Sequence, residues 1–348
     1  MTLFQRIETG VAGRLLRASN SFVRRMTKDR RKVDGQSLDR RTQYMFALGR
    51  FAERAMPSMT PEAARHYYAR LCRVLDEAPL KVGRTSELTI PMRSGRRLGR
   101  AYSPQGADEG TGAIPGLVYY HGGGFTIGSI ETHDALCRRV CIAANCVVVS
   151  VDYRLAPEEP FPAAVEDCYD AYRWVRDQAH ALGIASERIA VGGDSAGGNL
   201  SAVVSSIARD EGLLTPYVQL LIYPGVGNVD HVGRKRPELQ TGYGLDEKTL
   251  LWFHDNYLRE SDGDHPHASP LHLPSHESLS PAIVVTARFD LLCGEGAEYV
   301  AKLEAAGVPV THLHFKDLPH GFVTMSVLPR AREAIAELAT ELRAALHA

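Results

Sequence analysis

The sequence predicts an α/β fold, in which a mainly parallel sheet is covered by helices on both faces. Short, continuously apolar segments recur along the chain, and segments with helical spacing separate them. A strand that reads as an unbroken apolar run is buried on both faces, so its alternation with helices indicates a parallel sheet. The chain has 348 residues, of which 44% are hydrophobic and 23% charged. This composition is typical of a globular protein with a large core.

Residues 1–82 are expected to be helical throughout. The clearest helix begins at Thr60-Pro61-Glu62, where a capping residue precedes a proline and an acid. After this region the spacing of apolar residues changes to that of β-strands. Two short strands are expected at 88–90 and 100–102, on either side of a turn at Ser94-Gly95. Further strands are expected at 116–120, 146–151, 188–191, 218–222, 282–286 and 310–315, with helices near 133–144, 163–181, 196–210, 295–306 and 330–346.

One interval is longer than an ordinary crossover between strands. Residues 225–276 contain a helical pattern from Glu247 to Leu258 between polar loops. Together with the N-terminal helices, this insertion is expected to cover the strand ends, where open α/β sheets bind ligands. We therefore divide the chain into an N-terminal helical cap region (1–82), a core (83–224), a cap insertion (225–276) and a second core segment (277–348).

Composition excludes several function classes. The formal net charge is −1, so no overall field attracts nucleic acid. The six cysteines form no C-x-x-C pair, and no further pattern completes a metal site. We expect reduced thiols, a cytoplasmic location and no metal. No apolar run is long enough to cross a membrane, and the N-terminus lacks a signal-peptide core.

The N-terminal residues form a basic segment. Residues 1–32 carry nine Lys and Arg side chains, and apolar residues recur at helical spacing from Phe4 to Met26. Such a helix either packs its apolar stripe on the body of the protein or lies on a membrane surface. Packing is favoured, with interfacial contact by residues 1–30 as the alternative. Stable membrane insertion is not expected.

The turn from Gly193 to Gly197 predicts a nucleophile. It reads Gly-Asp-Ser-Ala-Gly, follows the apolar run 188–192 and precedes a helical stretch rich in small residues. A strand that enters a helix through Gly-X-Ser-X-Gly exposes the serine hydroxyl, here that of Ser195. The two glycines leave room around this strained turn.

A serine nucleophile needs a base and an orienting acid. His320 lies in a loop just after the last apolar strand, and Asp290 closes the strand before it. The chain order Ser195, Asp290, His320 is that of hydrolases with a strand-turn-helix serine. Glu295 and Asp317 are rival acids. Glu295 is expected inside the following helix and Asp317 to face outward, so Asp290 is favoured.

The glycine run from His121 to Phe125 directly follows an expected strand. Consecutive glycines allow several backbone N–H groups to point at one anion. A phosphate site is the rival interpretation, but the chain has neither the Walker spacing nor the Gly-X-Gly-X-X-Gly pattern of nucleotide-binding loops here. We expect the loop to stabilise an oxyanion together with the N–H of Ala196. His121, Gly122 and Asp194 are expected to support the loop rather than transfer protons.

These motifs together resemble the bacterial hormone-sensitive-lipase-like carboxylesterases, in their GDSAG branch. The residues that carry the resemblance are 121–125, 153–158, 161–167, 193–197, 289–291 and 320–322. The resemblance implies an α/β-hydrolase fold with an eight-stranded, mostly parallel sheet and a helical cap. It also implies a cofactor-free serine esterase with oxyanion donors Gly123, Gly124 and Ala196. Many relatives are homodimers that pair the last strand, here 310–315.

The chain departs from the family pattern in two places. Glu159 stands where relatives often have His, and Arg288, Leu291, Cys293 and Gly294 interrupt the usual run around the acid. No member of the expected triad is lost. The expected reaction is hydrolysis of carboxylic esters through an acyl-enzyme. The expected substrates are small-molecule esters with short to medium acyl chains. Alternatives are a lactonase, amidase, carbamate hydrolase or arylformamidase with the same triad, and a non-catalytic ligand receptor on the same fold.

Overall fold

A large sheet organises the structure, a computed structural model that describes residues 18–49, 56–107, 114–228, 236–259 and 261–348. Its strands and those of a small hairpin are, in chain order, β1 (Lys32–Val33), β2 (Gln36–Ser37), β3 (Arg84–Met92), β4 (Gly95–Ser103), β5 (Ile114–Tyr120), β6 (Val147–Val151), β7 (Ile184–Asp194), β8 (Gln219–Ile222), β9 (Ala282–Phe289) and β10 (Val310–Pro319). The α-helices described are α1 (Asn20–Met26), α2 (Arg40–Gly49), α3 (Pro61–Leu75), α4 (Ile130–Ala144), α5 (Ala163–Asp177), α6 (Ala196–Asp210), α7 (Glu247–Tyr257), α8 (Cys293–Ala305) and α9 (Pro329–Leu346).

The sheet has eight strands in the order β10-β9-β8-β7-β5-β6-β4-β3. From β5 to β10 every pairing is parallel. The first two strands, β3 and β4, form an antiparallel hairpin, and β4 also pairs antiparallel with β6. The expected α/β fold with a mostly parallel sheet is therefore confirmed. Parallel strands end at a common edge, and the carboxyl ends of β5, β7, β9 and β10 lead into the candidate site.

Helices cover both faces of this sheet. Leu117 and Tyr119 of β5 point to the face covered by α4 and α9. Their neighbours Val118 and Tyr120 point to the face covered by α5 and α6. All four side chains are fully buried, as the period of two along a strand requires. Continuous apolar strands thus build two cores, one on each side of the sheet.

The N-terminal region is not helical throughout, so that prediction is wrong for residues 32–37. These residues form the β1–β2 hairpin, whose turn is Asp34-Gly35. Both turn residues have positive φ, +48° and +75°. An Asp-Gly pair favours this type of two-residue turn, which reverses the chain and ends the helical pattern. The expected helix at Thr60 is confirmed as α3, and the Thr60 hydroxyl accepts a hydrogen bond from the Ala63 N–H.

The expected basic helix is only partly described, because residues 1–17 lie outside the described ranges. The described part is α1, in which Val23 is buried while Phe22 and Met26 are exposed. The Phe22 ring makes an edge contact with Tyr44 of α2 at 6.0 Å. In the portion of the chain that the structure describes, no helix is long and apolar enough to cross a membrane.

The long interval after β8 contains the expected helix, here α7, and two short 3-10 turns. Asp246 caps α7 by accepting a hydrogen bond from the Thr249 N–H. Its inward side chain Phe253 is nearly buried and packs with Ala64 of α3 and Ile127. The two segments that the sequence assigns to a cap thus meet in one cluster. The division of the chain into cap and core segments itself stays a prediction.

Candidate active site

Ser195 lies between β7 and α6, in the strand-to-helix turn that the sequence predicts. Its backbone has φ +54° and ψ −115°, a strained conformation for a residue with a side chain. The turn passes very close to β5. A Cβ on Gly193 would lie 2.3 Å from the Tyr120 carbonyl oxygen, and one on Gly197 only 1.8 Å from it. Glycine at both positions is therefore required for the turn to form.

His320 contacts both Ser195 and Asp290. Its Nε2 lies 3.0 Å from the Ser195 Oγ, and its Nδ1 lies 2.8 Å from the Asp290 Oδ2. The other Asp290 oxygen, Oδ1, accepts a hydrogen bond from the Leu292 N–H at 2.9 Å. The Asp290 side chain is fully buried, and Tyr223 packs beside the imidazole at 4.6 Å between ring centroids. The three side chains thus form one continuous chain of hydrogen bonds.

The rival acids lie elsewhere. Glu295 is in the first turn of α8, where its Oε1 accepts hydrogen bonds from the N–H groups of Val226 and Gly227. Burial raises the pKa of Glu295 to about 8. Asp317 forms an ion pair with Arg330 at 3.0 Å. Of the three carboxylates considered, the structure brings only Asp290 to His320.

The glycine loop from His121 to Phe125 follows β5 and faces the Ser195 turn. Gly123 and Gly124 have φ values of +125° and +55°. The loop folds back on itself, because the Gly123 carbonyl accepts hydrogen bonds from the N–H groups of Thr126 and Ile127. A Cβ on Gly123 would lie 2.3 Å from the Ile127 carbonyl oxygen. Ala196 is the first residue of α6, so its N–H has no partner within the helix.

Asp194 ties this loop to the nucleophile turn. Its Oδ1 accepts hydrogen bonds from the Gly122 N–H at 2.8 Å and from the Tyr119 hydroxyl at 2.7 Å. The Nε2 of His133 lies 3.2 Å from the same oxygen. Although burial acts in the opposite direction, His133 and these hydrogen bonds lower the pKa of Asp194 to about 2. A buried carboxylate thus fixes the start of the glycine loop.

His121 is fully buried and stacks between two rings. Its centroid lies 4.4 Å from that of Tyr153 and 5.6 Å from that of His133. Burial and the neighbouring His133 lower the pKa of His121 to about 3. The imidazole is therefore neutral at physiological pH. The Tyr153 hydroxyl donates to the His121 carbonyl at 2.7 Å, which fixes the loop further.

Three contributors to this region lack a signal in the sequence. His133 of α4 and Tyr119 of β5 reach Asp194 from other elements. Phe253 of α7 packs directly on Gly124, and a Cβ there would lie 2.1 Å from its ring. No local motif surrounds His133 or Phe253, and the position of Tyr119 just before the glycine loop does not indicate that its hydroxyl reaches Asp194. The six cysteines are buried free thiols, and in the described ranges no three His, Cys, Asp or Glu residues could hold a metal ion.

Comparison with known proteins identifies the family of this chain. Residues 117–324 match a family described by the alpha/beta hydrolase fold. The chain belongs to this family. The α/β-hydrolase is 40% identical over 347 residues to the carboxylic ester hydrolase LipN of Mycobacterium tuberculosis, covering 96% of this chain and 88% of that protein. It is 35% identical over 296 residues to an ethyl acetate hydrolase of Pseudomonas putida, and the match covers 82% of this chain and 92% of that protein.

Solved structures show the same fold. A hyperthermophilic esterase from the archaeon Pyrobaculum calidifontis superposes with a TM-score of 0.83 at 38% identity, covering 88% of this α/β-hydrolase and 98% of that chain. An ester hydrolase from the metagenome of Lake Arreo, solved with a bipyridine phosphonate derivative, superposes with a TM-score of 0.83 at 35% identity. The match covers 88% of this chain and 97% of that chain. The resemblance to hormone-sensitive-lipase-like carboxylesterases is thereby confirmed.

The departures from the family pattern leave the Asp290–His320 contact in place. Leu291 and Cys293 are buried, and the Cys293 N–H donates to the Asp290 carbonyl at 3.2 Å. Arg288 reaches the N-terminal hairpin instead, where its Nη1 lies 2.9 Å from Asp34. Glu159 contacts Arg154 at 3.5 Å. In this α/β-hydrolase Glu159, Arg288, Leu291 and Cys293 thus have packing or surface contacts of their own, and Gly294 is exposed.

Proposed function

We propose that this carboxylesterase acts through Ser195 as nucleophile, His320 as general base and Asp290 as the acid that orients His320. The observation that carries the proposal is the unbroken chain of contacts from Ser195 Oγ through both ring nitrogens of His320 to Asp290, at 3.0 and 2.8 Å. A serine hydroxyl attacks a carbonyl only when a base removes its proton. The buried Asp290 holds the imidazole orientation and stabilises the imidazolium that forms.

The reaction proceeds in two halves. Ser195 Oγ attacks the ester carbonyl carbon while His320 Nε2 takes its proton, and the carbonyl electron pair moves onto oxygen. The N–H groups of Gly123, Gly124 and Ala196 stabilise this oxyanion. Collapse breaks the bond to the alcohol, which leaves with the proton from His320. Water, deprotonated by His320, then attacks the acyl-enzyme in the same way and releases the acid.

Turnover of p-nitrophenyl butyrate tests the three roles. Ser195→Ala and His320→Ala are expected to lower kcat by about 10⁴-fold or more. Asp290→Asn is expected to cause a comparable loss, because the imidazole loses its orienting charge. Asp317→Asn is the control and should stay within about twofold, since Asp317 faces Arg330. Undiminished turnover by Ser195→Ala, or a damaging Glu295→Gln beside a harmless Asp290→Asn, would contradict the assignment.

We propose short- to medium-chain esters as the substrates. The Phe253 ring packs directly against Gly124 and restricts the space beside the proposed oxyanion donors. Initial rates over p-nitrophenyl esters from acetyl to palmitoyl are expected to peak below about ten acyl carbons. A maximum at palmitoyl would overturn this preference. Turnover of a lactone, an amide, a carbamate or an N-formyl arylamine that is faster than that of the esters would favour the alternative hydrolases. Inactivity on the esters and on all of these compounds would favour a ligand receptor.

We also propose a homodimer formed through residues 310–315. Among the strands that the structure describes, β10 is an edge strand and pairs only with β9. The far end of its free edge is covered, because the Asp39 N–H donates to the Asp317 carbonyl at 2.8 Å. The pairing would therefore use the other end of the strand, residues 310–315, which is the stretch that many relatives pair. Sedimentation velocity should give a dimer at micromolar concentration, and a monomer at every concentration would contradict it.

We infer that the basic N-terminal segment packs on the body of the protein. Its described part is anchored, since the Arg41 Nη2 donates to the Ala18 carbonyl at 3.1 Å and Val23 is buried. Phe22 and Met26 remain exposed. Deleting residues 1–30 should lower the unfolding temperature without changing liposome pelleting. Pelleting of the full chain that depends on those residues would favour interfacial contact instead.

We infer a cytoplasmic location for this protein. Its six cysteines are unpaired and buried. Free thiols persist in reducing compartments, whereas oxidising compartments favour disulfides. Fractionation of producing cells should recover the chain with cytoplasmic markers, and recovery with periplasmic or secreted ones would contradict the inference.

A further inference from the structure

Arg65 of α3 makes an unusual set of contacts with the core. Its Nε donates to the Thr126 carbonyl and its Nη2 to the Ala156 carbonyl, each at 2.8 Å. Both terminal nitrogens also contact Glu158, Nη1 at 2.9 Å and Nη2 at 2.5 Å. The planar guanidinium therefore joins one helix of the expected cap to two separate core loops. Only a side chain with several donors in a fixed fork makes all these contacts at once.

The two carbonyls belong to loops that shape the proposed oxyanion site. Thr126 is two residues after Gly124, its N–H donates to the Gly123 carbonyl at 3.1 Å, and its hydroxyl donates to the Gly124 carbonyl at 3.1 Å. Ala156 donates its own N–H to the Phe125 carbonyl at 2.8 Å. Arg65 thus bonds directly to the loop that carries Gly123 and Gly124, through Thr126, and to the neighbouring loop that supports it, through Ala156.

The loop is held from two directions. From the core, Asp194 binds the Gly122 N–H, as described above. From the opposite side, Ala64 and Phe253 pack with Ile127, and Arg65 binds Thr126. An oxyanion donor acts only when it lies within hydrogen-bond distance of the developing charge, and a displacement of about 1 Å costs about 100-fold in rate.

We propose that Arg65 is a positioning residue that holds the oxyanion loop in its active shape from the cap side. This inference rests on the proposed roles of Gly123 and Gly124. The ion pair with Glu158 contributes little, because the Glu158 side chain is 58% exposed and water screens such a pair. The charged hydrogen bonds to the two backbone carbonyls carry the effect, since Thr126 belongs to the glycine loop and Ala156 belongs to the adjacent loop, whose N–H binds the Phe125 carbonyl.

The test compares Arg65→Gln and Arg65→Lys with the wild type on p-nitrophenyl acetate, whose small acyl group makes few cap contacts. Both variants are expected to lower kcat by about 10- to 100-fold with KM within about threefold. Lysine keeps the charge but cannot bond to both carbonyls, so it should not rescue the rate. Arg93→Gln is the matched control, because Arg93 makes a similar two-contact pair with Asp170 away from the site.

A second readout separates positioning from stability. A trifluoromethyl ketone forms a tetrahedral adduct with an active serine, and its oxyanion occupies the same site as that of the substrate. Its inhibition constant should rise by the same factor by which kcat falls, in variants that are folded by circular dichroism. Unchanged kcat in Arg65→Gln, or a lowered kcat with an unchanged inhibition constant, would overturn the proposal. Ser195→Ala in the same assay distinguishes a failure of this proposal from a failure of the proposed function. If Ser195→Ala stays active, the proposed nucleophile itself is wrong.

Discussion

At the residue scale, Asp194 links the nucleophile turn to the glycine loop. Replacing it with alanine leaves the buried Gly122 N–H without its acceptor and releases the loop, so kcat on p-nitrophenyl butyrate should fall by about 100-fold. Asp194→Asn keeps an acceptor oxygen and should lose less. Asp170→Asn, at the surface pair with Arg93, is the control. A folded Asp194→Ala enzyme with kcat near that of the wild type would show that the loop holds its shape without this contact.

The residues that lie in local motifs could be predicted, and those that act from a distance could not. Ser195, Asp290 and His320 each follow a strand, so their strand-end positions and chain order together predicted that they would meet, and they lie in contact. His133 and Arg65 reach the site from helices 61 or more residues away from their partners. Such contacts depend on how helices pack. The spacing of apolar residues predicts which face of a helix is buried, but not which residues of other elements that helix contacts.

At the element scale, the N-cap of α3 supports the helix that carries Arg65. Thr60→Ala removes the acceptor for the Ala63 N–H, and the free energy of unfolding should fall by about 1 kcal/mol. Thr60→Ser keeps the hydroxyl and should restore most of this loss. Chemical denaturation of the three proteins measures the effect. Equal stabilities would mean that packing of Ala64 and Leu75, rather than the cap, determines whether this helix forms.

At the scale of the whole molecule, the sheet was the most predictable feature and the N-terminal region the least. Each central strand is an apolar run that stands out from its flanks, whereas the β1–β2 hairpin has only two residues per strand. Its strands are too short to show a period, and the Asp34-Gly35 turn was the only signal. Contacts with Arg236 and Arg288 help to hold this hairpin.

The pH dependence of global stability should report the buried Glu295. Burial raises its pKa from 4.5 to about 8, with the charges of Asp290 and Glu298 adding to the effect and the Val226 and Gly227 N–H groups opposing it. Between these two values the folded chain holds a proton that the unfolded chain has lost. The free energy of unfolding therefore falls as pH rises through this window, by at most about 1.4 kcal/mol per pH unit from this group.

Glu295→Gln removes this titration and should flatten the profile measured by urea unfolding from pH 5 to pH 8. The difference between wild type and variant is then expected to change steadily with pH, with the variant gaining relative stability toward pH 8. Glu304→Gln, at an exposed position of the same helix, is the control and should shift the curve without changing its slope. Parallel curves for wild type and Glu295→Gln would mean that Glu295 ionises in the folded protein as it does in the unfolded chain.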